Sequence, residues 1–528
     1  LLESLYIPPQ GLGGRGGQRL QVTVTGWRGR DVLRINDVAL GSPTNLAADN
    51  GIIHAIDRLL LPPDRLVPVM HRAVQLETWR RWLNHEAGVL ARLSDQTGFT
   101  VVAPTTTAFT KGLSALQQRY FFHPAAINDL SLLLQTHVIP RVVYHQDVAE
   151  HQANSTWTVH SLAGIPWQLR VDSSGILWAN NSRLTLPDQL AENGVIHFTD
   201  QLTLPTVLTF DARKYLIAVN ATRFVDLLQA HGFTDYLGAL PDTTPLTLLA
   251  PVNDAFDDYL EELPEPGTIQ MTQYLAYHVL PHRQHTLADL ADGQLVPTAL
   301  WLDSLGGGYQ RVKVTRGSSP DPQFGVASTP PDMAFNHATV VSDPITIGRL
   351  TIYRLASPLS PPKDLLHTVV TNLRYSTFLA TLYHSKMQRE LQAAKNVTYF
   401  VPSNQALARL DITLSYLMSP DGTGKLQQLQ RMWVARPATY VYPLKSHYPD
   451  LDRPEKGACL ETLEGMPLSM VPYGTETRVY FGACIDDRGG GGNSNIKPNL
   501  GDYRWQPLEA EQKLLDAPYV PLVQTDTL

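Results

Sequence analysis

The 528 residues include only two cysteines, Cys459 and Cys484. That excludes an array of small disulfide-stapled extracellular modules, whose cores are too small to hold without cross-links. No apolar run approaches the roughly 18 to 20 residues of a membrane-spanning helix. Basic charge is not in excess: 42 Lys and Arg stand against 49 Asp and Glu, a formal net charge of −7. Nucleic acids and anionic membranes both call for a concentrated basic face, so neither is indicated as a partner. The chain opens Leu1-Leu2-Glu3 without a Met and without a basic-then-apolar leader. It reads as a processed or excised piece whose membrane anchor, if it has one, lies outside it. There is no Gly-x-Ser-x-Gly nucleophile elbow and no Arg-Gly-Asp tripeptide.

What is present is globular: 43% of residues are apolar and 17% charged. The length suggests about three to five domains. The strongest signal is a phrase used twice. Asn50-Gly51-Ile52-Ile53-His54 continues to Asp57 and ends in an apolar run closed by Pro62; Asn193-Gly194-Val195-Ile196-His197 continues to Asp200 and ends at Pro205. The two histidines are about 143 residues apart, the length of a domain rather than the roughly 20 to 50 residues of a solenoid unit. An earlier phrase, Thr100-Val101-Val102-Ala103-Pro104, returns as Thr247 to Pro251 and as Thr398 to Pro402. Between them lies a middle phrase, Thr136-His137-Val138-Ile139-Pro140 and Tyr277-His278-Val279-Leu280-Pro281.

Three phrases in fixed order at one step resemble fasciclin-type domains. The Thr-x-x-Ala-Pro-x-Asn-x-Ala-Phe, Tyr-His and Asn-Gly-x-Ile-His-x-x-Asp phrases are similar to that family's motifs. The resemblance divides the chain into residues 1–63, the C-terminal half of one domain; 64–205, a full domain; 206–361, a domain with an eroded late phrase; and 362–528, a divergent domain with a Gly- and Asn-rich tail. Each unit reads helices first and strands second, an α+β pattern. The family fold implies a β-sandwich-like core under a helical cover. The half-domain at residues 1–63 cannot bury a core alone, so its other half is expected upstream or lost. In the third repeat Ile345 to Arg354 keeps the strand alternation without Asn-Gly or His, which suggests that the polar positions have been let go. In the fourth, Arg431-Met432-Trp433-Val434 fills the middle slot and no late phrase is found.

For Asn50, Gly51, Asn193 and Gly194 the expected role is a turn at positive φ. For His54 and His197, with Asp57 and Asp200, and for His137, Tyr277 and His278, the expectation is structural: imidazoles turned inward and bonded to backbone. The competing reading is chemical. His278-x₃-His282-x₂-His285 has the spacing of a metal site, though Pro281 breaks the helical face and Asp289 is the nearest carboxylate. Gly11-Leu12-Gly13-Gly14-Arg15-Gly16 satisfies Gly-x-Gly-x-x-Gly but precedes a strand rather than a helix, so it reads as a loop. Gly489 to Gly492 reads the same way, beside Asp486 and Asp487. Cys459 and Cys484 flank a hairpin-like loop and are either disulfide-bonded or two buried thiols. Asn154, Asn180, Asn220 and Asn396 begin N-glycosylation sequons, slightly more than chance supplies.

Together these readings imply a non-enzymatic adhesion or interaction scaffold with no cofactor. Its partners would be other proteins or glycans at a cell or organelle surface, reached by the secretory route. The fungal members, at the cell surface or in the vacuole, are the better match, and the family there is tied to membrane-organelle fusion or autophagy. The alternatives are a glycan-binding receptor ectodomain and a metal-dependent hydrolase using His278, His282 and His285.

Overall fold

Trp79 and Trp82 lie three residues apart on the Glu77–His85 helix and are both fully buried, so one face of that helix must meet a core. A computed structural model describes residues 1–14, 16–27, 30–151, 156–238, 245–317, 333–440, 458–473, 476–481 and 520–521. Two units divide the chain: the first comprises Leu1–Asn220 and takes back residues 237–239, and the second holds the rest.

In the first unit, Trp82 packs edge-on to Phe109 and tilted against Phe121, with ring centroids 4.6 and 4.8 Å away. The helices that carry those rings start where the sequence supplies caps. Ser114 and Gln117 form a reciprocal capping box at the head of the Ala115–Phe121 helix. The Glu86 carboxylate accepts the Val89 N–H at 2.5 Å and heads the Ala87–Asp95 helix. Beneath the helices lies a seven-stranded sheet. A meander of Trp157–His160, Pro166–Val171, Leu177–Ala179 and Ser182–Ala191 runs antiparallel into Gly194–Thr199. That last strand pairs in parallel with Phe99–Pro104, Gly194 opposite Phe99 through Thr199 opposite Pro104. Every residue of both strands is buried, as a parallel pair deep in a sheet requires. Thus the early and late phrases, far apart in the chain, are neighbours in the sheet.

The Asn-Gly pair of the late phrase lies at the expected turn into the last strand, but without the positive φ. Neither Asn193 nor Gly194 has positive φ. A Cβ on Gly194 would sit 2.2 Å from the Phe99 carbonyl oxygen, so this glycine is needed for close approach of two backbones. Asn193 is buried; its Nδ2 donates to the Leu93 and Gln96 carbonyls, each at 2.8 Å, and its Oδ1 accepts the Leu66 N–H at 2.8 Å. It therefore ties the sheet to the start of one helix and the end of another. The Ala212–Ala218 helix, beyond the Pro205 joint, packs back on this unit, with Gln117 Nε2 donating to the Tyr215 hydroxyl at 3.3 Å.

The second unit repeats the plan. Leu246–Pro251 pairs in parallel with Leu350–Leu355, in the same phase as the pair above. Leu295–Leu302, Gly308–Arg316, Met333–Phe335 and Ala338–Thr339 form the meander. In the fourth repeat Thr398–Tyr399 and Val434–Arg436 begin a six-stranded sheet that continues through Ala458–Thr462, Pro467–Tyr473, Glu476–Phe481 and Val520–Pro521. Phe400 N–H donates to the Trp433 carbonyl at 2.7 Å, as Val102 does to His137 and Leu249 to His278, both at 2.9 Å. Trp433 thus occupies the middle-phrase slot, with the backbone geometry kept and the imidazole gone.

Residues 1–63 are strand and loop throughout their described part: Val22–Trp27, Arg30–Ile35 and Val38–Ala39 form a meander, and Leu46–Ala48 with Gly51–Ile53 a hairpin. The bridge Leu40–Ile56 that closes them matches Val340–Leu355 in the third repeat.

Asn193→Ala should cost about 3 kcal/mol, because it orphans a buried N–H and two carbonyls. Asn50→Ala, at the exposed copy of the position, should stay within about 0.5 kcal/mol. Urea denaturation of the two variants reads the contrast directly; equal costs would contradict the bracket role.

Candidate functional site

The motif histidines come first, because they carry the chemical alternatives. His137 caps the end of helix Ile127–Thr136 and His278 follows the Tyr277 cap of helix Ile269–Ala276, where unpaired carbonyls collect. In each, Nδ1 lies 2.9 Å from the carbonyl four residues back, Leu133 or Tyr274. In each, Nε2 accepts a backbone N–H from the segment that leaves the domain: Thr203 at 3.4 Å and Leu359 at 2.9 Å. An acceptor Nε2 fixes the proton on Nδ1, so both rings are neutral and both of their nitrogens are engaged. Burial holds the pKa of each down to about 4. Tyr277, beside His278, is buried as well. Its hydroxyl donates to the Arg311 carbonyl at 2.9 Å and accepts from Asn336 Nδ2 at 2.9 Å, and burial pushes its pKa up to about 12.

His197 follows the same logic at the late phrase. Its Nδ1 accepts the Asp188 N–H at 3.0 Å and its Nε2 donates to the Val143 carbonyl at 2.9 Å. Burial lowers its pKa, against the opposing pull of the Asp188 carboxylate. Asp200 is half-buried, and its Oδ1 meets no donor among the described residues. In the third repeat the expectation that the polar position has been let go is wrong. Tyr353 stands where His197 does, and its hydroxyl donates to the His285 carbonyl at 3.1 Å. Val143 and His285 are equivalent: their N–H groups bond to Thr100 and Thr247 hydroxyls at 2.9 and 2.8 Å. The swap has a cause. Five residues before Arg349, where Asp188 stands five before Asn193, the third repeat has Pro344. Proline offers no N–H, so an imidazole Nδ1 there would lack its donor; a phenol needs only the carbonyl.

His54, the first copy of the phrase, is exposed. Its Nδ1 accepts the Asn45 N–H at 3.3 Å, the counterpart of the Asp188 bond, with Asn45 and Asp188 at φ +57° and +55°. The inward orientation expected from the phrase therefore holds for His197 and fails for His54. Asp57 is exposed beside Arg58.

One set of site residues went unseen in the sequence reading. Asn36, Asn180 and Asn336 all adopt φ between +46° and +53° at the tip of a meander hairpin. Each makes the same pair of bonds to one residue of the neighbouring strand. The backbone N–H donates to that residue's carbonyl and the side-chain Oδ1 accepts its N–H, with partners Gln21, Gln168 and Lys313. Their spacing follows the repeat step, which was the available signal. Asn180, read as a sequon, is thus one of three structural brackets.

The metal-like cluster does not assemble. His278 has both nitrogens occupied, His282 is exposed at φ +61°, and His285 is buried with Nδ1 unpartnered. Among the described residues no group of three or more His, Cys, Asp or Glu is placed to hold a metal. The Gly11-to-Gly14 part of the loop packs on the next repeat: Leu12 is buried and Gly13 abuts Gly98 backbone to backbone, both glycines at positive φ. Asn220 is exposed, whereas the Asn396 amide presses on Gly306 and its Oδ1 accepts the Ala438 N–H at 2.9 Å. Asn154, Cys484, the Asp486-Asp487 pair and Gly489 to Gly492 lie outside the described residues, as does the Cys459 side chain.

Buried neutral histidines make stability depend on acid. The folded pKa of His137 and His278 lies near 4 against 6.5 for a free imidazole, so the unfolded chain binds more protons between those values. The stabilisation is complete above pH 6.5 and is lost as pH falls toward 4, on the order of 3 kcal/mol per histidine. Urea midpoints measured from pH 7.5 down to 4.5 should hold level to about pH 6.5 and fall below it, and a flat profile throughout would mean that the rings are not buried and neutral.

The Fasciclin domain profile matches residues 74–205, 219–361 and 373–482. The pig "Transforming growth factor-beta-induced protein ig-h3" is 24% identical over 69% of this chain and 48% of its own length. Human "Periostin" is 26% identical over 69% of this chain and 39% of its own. A yeast protein, "FAS1 domain-containing protein YLR001C" of Saccharomyces cerevisiae, is 25% identical over 46% and 27%. The chain spans about half or less of the length of these curated relatives. The solved FAS1 domain pair "from the Insect Cell Adhesion Molecule Fasciclin I" is 13% identical with a TM-score of 0.22, covering 54% of this chain and 95% of that one. With the three profile matches spanning well over half of the residues, in the three places where the phrases recur, the chain belongs to the fasciclin-domain family.

Proposed function

We propose that this chain is a non-enzymatic adhesion or interaction scaffold that engages other proteins at a cell surface or in the vacuolar lumen. The observation that carries the reading is the use of the motif histidines. In the second and third repeats, His137, His197 and His278 each have both ring nitrogens engaged with backbone, which leaves none of these three imidazoles free for acid–base or metal work. What the repeats offer to a partner is surface. On the third repeat Trp301 and Tyr309 are 53% and 48% exposed, edge to face at 5.0 Å, with Trp301 resting on Gly307. An aromatic pair held from below gives contact area at little entropic cost. Several such weak faces on one chain gain strength through avidity.

The same rings favour a second reading, a glycan-binding ectodomain, because a fixed indole face can stack on a sugar ring. Fluorescently labelled chain should bind intact cells saturably, and Trp301→Ala with Tyr309→Ala should weaken that binding about tenfold with little change in melting temperature. Loss of binding after protease treatment of the cells supports a protein partner; signal on a glycan array supports the second reading. Stoichiometric zinc that disappears on changing His282 and His285 would overturn both in favour of the hydrolase.

Passage through the secretory route predicts a particular pattern of glycans. Asn220, which is exposed, should be occupied, and Asn396, wedged against Gly306, should be bare. Enzymatic deglycosylation in heavy-oxygen water followed by mass spectrometry reads each site, and a glycan at Asn396 would contradict its packed position.

A further inference from the structure

A row of three side chains crosses the outer face of the second repeat's meander. Arg170 of the Pro166–Val171 strand stands opposite Trp178 of Leu177–Ala179, and Trp178 opposite Arg183 of Ser182–Ala191. Cross-strand neighbours in register share one face of a sheet. Here that face is turned outward: both arginines are exposed and Trp178 is half-buried, while Leu169, Leu177, Ala179 and Leu184 beside them are buried in the core. The row is also held in place. The Trp178 indole N–H donates to Asp172 Oδ2 at 2.8 Å, and Asp172 Oδ1 accepts the Ser174 and Ile176 N–H groups at 2.9 and 3.0 Å. The Arg170 guanidinium lies over the fixed ring, 4.9 Å from its centroid, and cation–π attraction steadies an otherwise flexible side chain. Among the described residues neither Arg170 nor Arg183 forms an ion pair. Asp172 offsets one of the two positive charges and leaves the other.

The third repeat serves as an internal control. Its bracket asparagine Asn336 holds Lys313 as Asn180 holds Gln168, which sets the two meanders in the same phase. Arg170, Trp178 and Arg183 therefore correspond to Thr315, Ala334 and Thr339, which pair in the same register. A meander of this type closes with three small neutral residues in these places. Folding thus calls for neither the guanidiniums nor the indole, and two like charges on one face repel. The row answers to something outside the sheet.

We propose that this face of the second repeat binds an acidic polysaccharide. Arg183 takes a carboxylate or sulfate of the sugar chain in a two-bond fork, and Arg170 takes another. The two arginine backbones are two strand spacings apart, about 10 Å, so they address acidic groups on different sugars of one chain rather than a single small ion. The indole between them offers its apolar surface to the C–H face of a sugar ring. Thr158, Gln168 and Thr185 are exposed on the same side of the sheet and supply partners for sugar hydroxyls. Those outward neighbours are polar, whereas a protein interface draws its strength from clustered, desolvated anchors; the face therefore favours a glycan over an acidic peptide. The chain as a whole carries a net charge of −7, so the attraction is local to this row and weakens as salt screens it. The site is separate from Trp301 and Tyr309 and does not rest on them.

Biolayer interferometry of the purified chain tests this on immobilised dextran, carboxymethyl-dextran and dextran sulfate, which share a backbone and differ in the acid, with poly-glutamate alongside. The chain should bind one or both acidic dextrans at least about tenfold more tightly than neutral dextran or poly-glutamate, and rising salt should weaken that binding. The two acidic arms tell a carboxylate from a sulfate. Arg183→Thr, an exposed change to the residue that the third repeat uses, should weaken binding about tenfold at an unchanged melting temperature. Arg170→Thr, Trp178→Ala and Arg183→Thr together should abolish it, and Trp301→Ala with Tyr309→Ala should leave it as it is. Wild type that binds neither acidic dextran more tightly than the neutral one, or an Arg183→Thr chain that binds them as wild type does, would overturn the proposal. Tighter binding to poly-glutamate, lost in the same variants, would overturn it too and assign the face to an acidic protein.

Discussion

The second and third fasciclin repeats each depend on one pairing, the parallel contact between the first strand and the last. In the second repeat Phe99–Pro104 and Gly194–Thr199 are separated by the whole meander, and in the third Leu246–Pro251 and Leu350–Leu355 likewise. Parallel neighbours cannot be joined by a tight turn, so the chain between them must travel out and return, and that excursion is the domain. The pair is buried on both faces, and its polar backbone is satisfied only if the strands meet in register. The other features serve the pair. Gly194 permits the approach, Asn193 ties its edge to two helices, and His137 and His278 fasten the segments that leave it.

Burying imidazoles to hold backbone is costly unless every nitrogen is matched. That explains why the late position changes as a set. Where Asp188 can donate an N–H, the residue is His197; where Pro344 cannot, the residue is Tyr353, and the carbonyl at the far side is still served. The substitution keeps the hydrogen bond that closes the sheet and removes the one that could not be made.

The order of the three phrases and their domain-length step were legible in the sequence, and with them the helix-then-strand plan. Burial of a given copy was not. His54 and His197 sit in the same words, but one faces solvent and the other lies at 2% exposure, because burial is set by packing against strands remote in the sequence and not by the phrase itself. The Asn193-Gly194 pair was legible as a turn but not as a backbone bracket, since a close approach depends on a strand remote in sequence. Asn36, Asn180 and Asn336 were hidden for another reason. A single asparagine with changing neighbours makes no phrase, although its φ and its paired bonds are the same each time. Tyr353 was hidden because the third repeat keeps the bond and changes the residue type.

The second unit also shows how one repeat is fastened to the next. Asn396 N–H donates to the Ser304 carbonyl at 2.7 Å, and the Tyr440 hydroxyl to Gln310 Oε1 at 2.6 Å, with the Arg311 guanidinium 5.0 Å from the Tyr440 ring. Gly306, at φ +71°, lets the Asn396 amide seat directly on its backbone; a Cβ there would lie 2.6 Å from the amide carbon. The joint is thus made of backbone and short polar groups at the hairpin tip of the third repeat, the same hairpin that carries Trp301 and Tyr309. A contact face on that hairpin is held in a fixed relation to the fourth repeat. For a scaffold the consequence is quantitative: sites held by a stiff joint act at an effective concentration set by geometry rather than by linker wandering, so weak faces can act together only on partners whose spacing matches.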